Sequence, residues 1–269
     1  MCPLTENTNS PRLKKKEEQL VAQAGVNYIR IRVWNDPYDE DGNGYGGGNN
    51  DVATAVELGK RATKYGMKVS IDFHYSDFWA DPGKQIKPKA WEGYTVEELE
   101  QAVYDFMVDT MKVFCDHGIN TTMVQVGNEL SNGLLWPEGK VPNYDNIARF
   151  VNAGIRGVRA VTPDVPVMIH LDNGGNNSLY REWFDEFTKR GEDFLNRISH
   201  IEGNKGRGFF YWEPAWIPVP GSGWATEASL KYMNDKGPCG NEWANQALFD
   251  YDGNALPAWN LIRDFKPQD

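Results

Sequence analysis

The apolar and polar positions show two kinds of periodicity, which follow one another along the chain. Over residues 26–34 the apolar positions alternate with polar ones, which is typical of a β-strand, and Ile29, Ile31 and Val33 share one face. Over residues 51–65 the spacing changes to that of an amphipathic helix. The pattern therefore predicts a strand followed by a helix as its basic unit.

This unit recurs through most of the chain. The sequence predicts five strands, at residues 26–34, 68–74, 122–128 and 165–171 and from residue 208 onward. It predicts helices at residues 12–24, 51–65, 96–117, 144–161, 179–190 and 257–265. Apart from the last of these helices, the tail of the chain is predicted to be rich in loops. Strands that alternate with helices favour an α/β fold whose sheet is parallel and whose helices are the crossovers.

Polar residues collect just after the predicted strand ends, for example in the run 72–77 and at Asn128 and Glu129. This is the arrangement of the active face of a (β/α)8 TIM barrel, of which about five of eight strands are recognisable here. A doubly wound sheet is the alternative, but its glycine-rich phosphate turn is missing. We expect a polar segment with a helix at residues 1–24 and one barrel domain at residues 25–269.

The composition of the chain limits the kinds of partner that we expect it to bind. The formal charge of the 269 residues is -10, so we expect neither nucleic acid nor an anionic membrane as a partner. Separately, we expect a monomer. The chain has 10 Trp, 12 Tyr and 12 Phe, and aromatic faces are suitable platforms for sugar rings.

The sequence predicts no metal and no cofactor. The three cysteines lie far apart without a paired motif, which supports neither a zinc site nor a disulfide framework. Asp39 opens the first half of a calcium-loop pattern, but the twelfth position is Asn50 where the bidentate Glu belongs. We interpret this segment as a surface turn.

Glu129 is the main candidate for chemistry. Glycoside hydrolysis uses two carboxyl groups, one of which is protonated to assist the leaving oxygen. Glu129 follows an apolar strand, and Asn128 beside it can hydrogen-bond a sugar hydroxyl. The alternative is that this Asn-Glu pair simply caps the next helix.

Several long motifs resemble those of glycoside hydrolase family 53, the arabinogalactan endo-β-1,4-galactanases. They occur in the family's order and cover most of the chain from Gly25 onward, at residues 26–37, 72–82, 126–129, 133–137, 143–149, 168–174 and 210–216. The resemblance implies a clan A barrel, retaining chemistry by two glutamates, and β-1,4-galactan of pectin side chains as substrate. It also implies secretion, although the polar residues 1–19 contain no apolar core of a signal peptide and leave the compartment unknown.

The resemblance also assigns roles. Glu129 corresponds to the acid/base with Asn128 as its partner, and Arg32 to the arginine near the nucleophile carboxylate. The other residues that it places in the substrate cleft are His74, His170, Asp172, Trp212, Glu213 and Trp216. For His74 and His170, structural roles and substrate contact both stay open.

Three of the family's strands have no counterpart in this sequence. Two of them belong between residues 171 and 208, and the second of these carries the nucleophile; the third belongs upstream of Gly25. The nucleophile is therefore expected to be absent, with Glu213 as a possible substitute and Glu192 and Glu202 as weaker ones. The alternatives to an active hydrolase are a galactan-binding remnant without catalysis and an incomplete gene product.

Overall fold

A computed structural model describes residues 21–172, 177–188 and 225–237, together with residues 19 and 239. Within these ranges strands and helices alternate as the pattern predicts. The strands are β1 (Tyr28–Val33), β2 (Lys68–Phe73), β3 (Thr121–Val126) and β4 (Val167–Met168). The α-helices are α1 (Val52–Lys64), α2 (Val96–Asp116), α3 (Tyr144–Val161), α4 (Asn177–Thr188) and α5 (Glu227–Tyr232). Short 3-10 helices cover Lys89–Trp91 and Leu130–Asn132.

The four strands form one parallel sheet in the order β1-β2-β3-β4. Val124 of β3 lies opposite Val167 of β4, and the carbonyl oxygen of Val33 at the end of β1 accepts a hydrogen bond of 3.1 Å from the N–H of His74. Since parallel strands all end at the same edge, the residues that follow β1 to β4 are brought together there.

The helix boundaries follow from capping residues. The Asp51 carboxylate accepts a hydrogen bond from Thr54 N–H at the start of α1. Thr95 and Glu98 form a reciprocal capping box at the start of α2. Gly118 takes a left-handed conformation with φ of 63° just after α2, which residues with a side chain rarely adopt. These caps explain why the predicted helix limits differ from the observed ones by only one or two residues.

Helices α2 and α3 pack against each other at close range. A Cβ atom at Gly157 of α3 would lie 2.7 Å from Cβ of Met107 in α2, so this crossing requires a glycine. At its edge Glu100 of α2 accepts hydrogen bonds from Arg149 and Arg156 of α3, at 2.8 and 2.7 Å.

The described residues group into two compact units. One unit comprises residues 21–31, 37–69 and 225–237; in it the Tyr45 ring stacks on that of Tyr232 at 5.1 Å, and the Thr226 hydroxyl donates to Gly44 O at 2.8 Å. The other comprises residues 32–36, 70–172 and 177–188, and it contains the packed helix pair and the strand ends. The domain limits expected from the sequence stay a prediction.

The observed strands are shorter than predicted. The strand predicted at residues 165–171 is reduced to Val167–Met168, because β3 ends at Val126 and Gly127 turns the chain away with φ of 81°. Beyond β4 the His170 carbonyl consequently accepts from the N–H of Leu130, which lies outside the sheet.

Other expectations meet the limits of the described residues. Helix α5 lies in the tail that was expected to be loop-rich apart from its last helix, and Thr226 with Ser229 caps its first turn. The strand predicted from residue 208 and the helix predicted at 257–265 lie outside the described residues, as does most of the helix predicted at 12–24. Within the described part of the chain, no helix is both long and apolar enough to cross a bilayer.

The segment after Asp39 is a hydrogen-bonded turn. The Asp39 carboxylate accepts hydrogen bonds from the backbone N–H and the side-chain amide of Asn43, at 2.7 and 2.9 Å, and these bonds lower the pKa of Asp39. This geometry agrees with the interpretation as a surface turn. Across the described ranges, no group of three or more His, Cys, Asp or Glu side chains is arranged to hold a metal ion.

Candidate active site

Glu129 lies where the chain leaves β3, in a left-handed conformation with φ of 52° and ψ of 54°. This conformation is costly for a residue with a side chain, and such outliers cluster at functional sites. Although Glu129 directly precedes the 3-10 helix Leu130–Asn132, its side chain makes no capping hydrogen bond to that helix. The structure therefore does not support the alternative in which this residue merely caps a helix. The side chain is partly exposed, as a proton donor to a substrate must be.

The Asn128 side chain is held by the protein at both ends of its amide. Nδ2 donates to the carbonyl oxygen of Ala80 at 2.8 Å, and Oδ1 lies 2.9 Å from Nδ1 of His170. Because a carbonyl oxygen can only accept, Ala80 determines which end of the amide is the nitrogen. Oδ1 must then accept from His170, so Nδ1 of His170 carries a proton.

The imidazole of His74 is also oriented by Ala80, which lies in the loop after β2. The N–H of Ala80 donates to Nδ1 of His74 at 3.1 Å, which places the proton of neutral His74 on Nε2. Nε2 in turn donates to the Asp72 carboxylate at 3.0 Å, and both side chains are fully buried. His74 thus uses both ring nitrogens within the protein, which favours the structural role among the two that the sequence left open.

These bonds form one continuous path along the edge of the sheet. It runs from Asp72 through His74, the backbone N–H and carbonyl groups of Ala80, and Asn128 to His170, and so links the ends of β2, β3 and β4. Gln125 of β3 also contacts this path. Its Nε2 donates to the Asp72 carboxylate and, at 2.8 Å, to the carbonyl oxygen of Gly127. Most of this network is buried, and because its members hydrogen-bond one another we expect it to hold the strand ends rigidly.

Arg32 lies on an aromatic cluster at the end of β1. Its guanidinium carbon is 4.1 Å from the ring centroid of Trp79, a distance typical of a cation–π contact. Trp79 is partly exposed and packs against the buried Trp34 at 5.3 Å between centroids. The placement of Arg32 beside a nucleophile carboxylate stays a prediction, and its observed neighbours include these rings.

The loop that carries Trp79 is anchored by Asp77. This carboxylate accepts backbone N–H bonds from Asp36 at 2.9 Å and from Lys89 at 2.7 Å, and it pairs with the Lys89 ammonium at 3.0 Å. Burial raises the pKa of Asp77, and the bonds from Lys89 oppose this shift. Burial, reinforced by the nearby Asp72 charge, likewise raises the pKa of the Tyr75 phenol.

The structure joins some of the predicted site residues and leaves others untested. Asn128, Glu129 and His170 meet where β3 and β4 end, His74 supports them from the interior, and the partly buried Asp172 lies two residues beyond His170. The predicted cleft residues Trp212, Glu213 and Trp216 lie outside the described residues, as do Glu192 and Glu202.

Four residues of this region were not singled out as site residues from the sequence. Trp79 lies within the motif at residues 72–82, so its aromatic ring was a usable signal. The polar residues Asp72, Gln85 and Gln125 are recognised only from contacts with distant parts of the chain, such as the bond of 2.8 Å from Gln85 Nε2 to Asn128 O.

Comparisons with known proteins fit this geometry. The profile described as Glycosyl hydrolase family 53 matches residues 4–195 and 192–262. The endo-beta-1,4-galactanase of Bacillus subtilis is 33% identical over 335 aligned residues, which cover 90% of this chain and 77% of the relative. The solved GH53 catalytic domain of Ignisphaera aggregans superposes with a TM-score of 0.78 at 32% identity, covering 91% of this chain and 87% of that one.

The strands form a parallel sheet, and the Glu129 carboxyl group and a polar network lie where these strands end. Together with the matches, this arrangement defines a glycoside hydrolase of the barrel class. More narrowly, the chain belongs to glycosyl hydrolase family 53. The resemblance found in the sequence motifs is thereby confirmed.

The matches also locate a discontinuity. The two segments matched by the family profile meet at residues 192–195, inside the stretch where the sequence lacks two expected strands. The alignment with the Bacillus subtilis relative is longer than this chain, so that relative has segments without a counterpart here. An arabinogalactan endo-beta-1,4-galactanase of Humicola insolens is 37% identical over 180 residues, which are 66% of this chain and about half, 52%, of the relative.

Proposed function

We propose that this chain hydrolyses β-1,4-galactosidic linkages within galactan, with Glu129 as the proton donor. The observation that carries the proposal is the position of Glu129 at the end of β3, beside an Asn128 whose amide is oriented by Ala80 and His170. The substrate class comes from the names of the relatives, which are galactanases of Bacillus subtilis and Humicola insolens. The (arabino)galactan side chains of pectin are the substrate that we infer from the family.

The proposed chemistry is retaining. The Glu129 carboxyl donates its proton to the glycosidic oxygen as the C–O bond breaks, while a carboxylate attacks the anomeric carbon from the opposite face. The Glu129 carboxylate then removes a proton from water, and the resulting hydroxide displaces the enzyme carboxylate. That second carboxyl group has to lie about 5 to 5.5 Å from the first. Glu213 is the candidate that we propose to test.

Release of reducing ends from linear β-1,4-galactan tests the hydrolysis. We expect Glu129→Gln to lower kcat by about 10² to 10⁴, because the amide keeps the shape of the side chain and has no proton to donate. Lys87→Met is the matched control, because it removes a partly buried ion pair with Glu138 outside the strand ends. Equal rates for the wild-type chain and Glu129→Gln contradict the proposal.

The second carboxylate requires its own measurement. A 2-fluorinated galactobioside with a reactive leaving group traps a retaining enzyme as a covalent ester, and mass spectrometry of the digested protein then identifies the peptide that carries the sugar. If Glu213 substitutes for the family's nucleophile, the label lies on the peptide that contains Glu213. Labelling elsewhere rejects Glu213, and hydrolysis with inversion of the anomeric centre rejects the retaining route.

A second candidate function is galactan binding without catalysis. It is favoured by the discontinuity at residues 192–195, since the family resemblance puts the nucleophile strand in this region. Calorimetry with β-1,4-galactotetraose, together with product analysis, separates the two functions. Heat of binding without product supports the binding protein, and product formation that depends on Glu129 supports the hydrolase.

A further inference from the structure

We propose that Gln85 is a positioning residue that holds Glu129 in its left-handed conformation and so sets the direction in which the catalytic side chain leaves the backbone. The catalytic consequence rests on the proposed function of Glu129, whereas the conformational consequence can be tested without any activity.

One nitrogen atom of Gln85 contacts the peptide groups on both sides of Glu129. Nε2 lies 2.8 Å from the carbonyl oxygen of Asn128 and 3.3 Å from that of Glu129, and it also lies 3.3 Å from the carbonyl oxygen of Asp81 in its own loop. The first carbonyl belongs to the peptide bond before the Glu129 Cα atom and the second to the one after it. The two backbone torsions of Glu129 relate these two planes to each other. Donation to both oxygens therefore restrains both torsions at once.

Gln85 is itself firmly held. Gln85 is buried with 1% exposure, and its backbone carbonyl oxygen accepts a hydrogen bond of 2.8 Å from the backbone N–H of Trp136. The next residue, Ile86, forms a parallel bridge with Trp136. Since Gln85 is anchored through its backbone, its amide is a fixed donor to which the strand end adapts.

The restraint of Glu129 by Gln85 offsets a conformational cost. A glutamate at φ of 52° carries a steric penalty that an extended backbone would avoid. Relaxation to an extended conformation would turn at least one of the two carbonyls away from Gln85. The buried amide would then lose that acceptor and keep the longer bond of 3.3 Å to Asp81 O, which is unfavourable. The hydrogen bonds of Gln85 thus offset the strain at the residue whose direction matters most for proton donation.

The first test compares alanine and glycine at position 129. Glycine is preferred over alanine in the left-handed region and is disfavoured elsewhere, so the difference between their melting temperatures reports the conformation of this position. With Gln85 present, we expect Glu129→Gly to melt at a higher temperature than Glu129→Ala. In a Gln85→Met background, we expect the advantage of glycine to vanish or reverse. An unchanged advantage overturns the proposal.

A second substitution covers the case in which Gln85→Met does not fold. Gln85→Glu keeps the shape of the side chain and replaces its amide nitrogen by an oxygen, and the same comparison of glycine with alanine is made in that background. Lys87→Met, in the same loop but paired with Glu138, is the control in which the glycine advantage must persist.

The second test uses catalysis. On galactan, which has a poor leaving group, we expect Gln85→Met to lower kcat by at least tenfold with little change in KM. On an aryl galactobioside with a good leaving group, which needs less protonation, we expect a much smaller loss. Equal losses on both substrates overturn the positioning role. If the wild-type chain is inactive on both substrates, the proposed function fails, and the glycine comparison still decides whether Gln85 sets the conformation of Glu129.

Discussion

At the scale of single residues, the side chains around Glu129 take their orientation from backbone groups. The Ala80 carbonyl sets the Asn128 amide, and the Ala80 N–H sets the proton position of His74. The sequence motifs pointed to Asn128, His74 and His170 as a set, because each follows a strand. Their hydrogen-bond partners could not be predicted, because Ala80 contributes only backbone atoms and carries no sequence signal.

Gly127 provides a residue-scale prediction. Its φ is 81°, and a Cβ atom there would lie 2.7 Å from Cδ2 of the buried Leu130. We expect Gly127→Ala to lower the free energy of unfolding by about 2 to 4 kcal/mol, through conformational strain and overpacking together. Denaturation in urea measures the change.

Gly118→Ala is the matched comparison. Gly118 also has a left-handed backbone, but apart from its chain neighbours no atom of the described residues lies within 4 Å of the point that a Cβ atom would occupy there. This variant should therefore show only the conformational cost of about 1 kcal/mol. Equal losses for the two variants would mean that the contact with Leu130 yields easily and contributes little.

At the scale of elements, periodicity and caps predicted helices α1 to α3 within one or two residues. Prediction failed where the decisive factor was non-local. The fourth strand is short because β3 turns away at Gly127, and no pattern within residues 165–171 reports this. Helix α5 was missed because its six residues are too few to establish a helical period, although the Thr226 cap was visible.

The ion pairs between α2 and α3 give a prediction for pH. Burial opposes ionisation of Glu100, but the hydrogen bonds from Arg156 and Arg149 outweigh it and lower the pKa of Glu100 below its ordinary value of 4.5. A carboxyl group with a lowered pKa in the fold stabilises the protein above pH 4.5, and this contribution is lost as the pH falls through the folded-state pKa.

We therefore expect Glu100→Gln to lower the free energy of unfolding by about 0.5 to 1 kcal/mol at pH 7. The difference from the wild-type chain should shrink steadily below pH 4.5, because the wild-type carboxyl then becomes neutral as well. Thermal unfolding between pH 3 and pH 7 measures it. A difference that is independent of pH would assign the effect to packing.

At the scale of the whole molecule, the family was predictable because its motifs are long, ordered and spread over most of the chain. Membership does not by itself determine turnover, since the profile matches in two segments that meet at residues 192–195. The position of Glu129 at the end of β3 is defined by the structure, whereas its acid/base role and the identity of the second carboxylate are proposals. Galactan binding and galactan hydrolysis by this chain therefore require separate measurements.

Linkage between ligand binding and unfolding gives the prediction at this scale. For the Glu129→Gln variant, in which slow turnover should preserve the ligand, we expect β-1,4-galactotetraose at 100 times its Kd to raise the free energy of unfolding by about 2.7 kcal/mol. Chemical denaturation with and without the sugar measures the change. Cellotetraose is the control, and equal stabilisation by both sugars would contradict selectivity for galactan.

The two backbone contacts of Ala80 also bear on how this family can diverge. Because position 80 serves the strand ends through its N–H and carbonyl groups, exchange of its small side chain for another small one leaves the bonds to His74 and Asn128 in place. Proline is the exception, since it removes the N–H and would deprive His74 of its donor. A survey of variants should therefore find the position permissive for small residues and intolerant of proline, a signature that a search for invariant polar side chains would overlook.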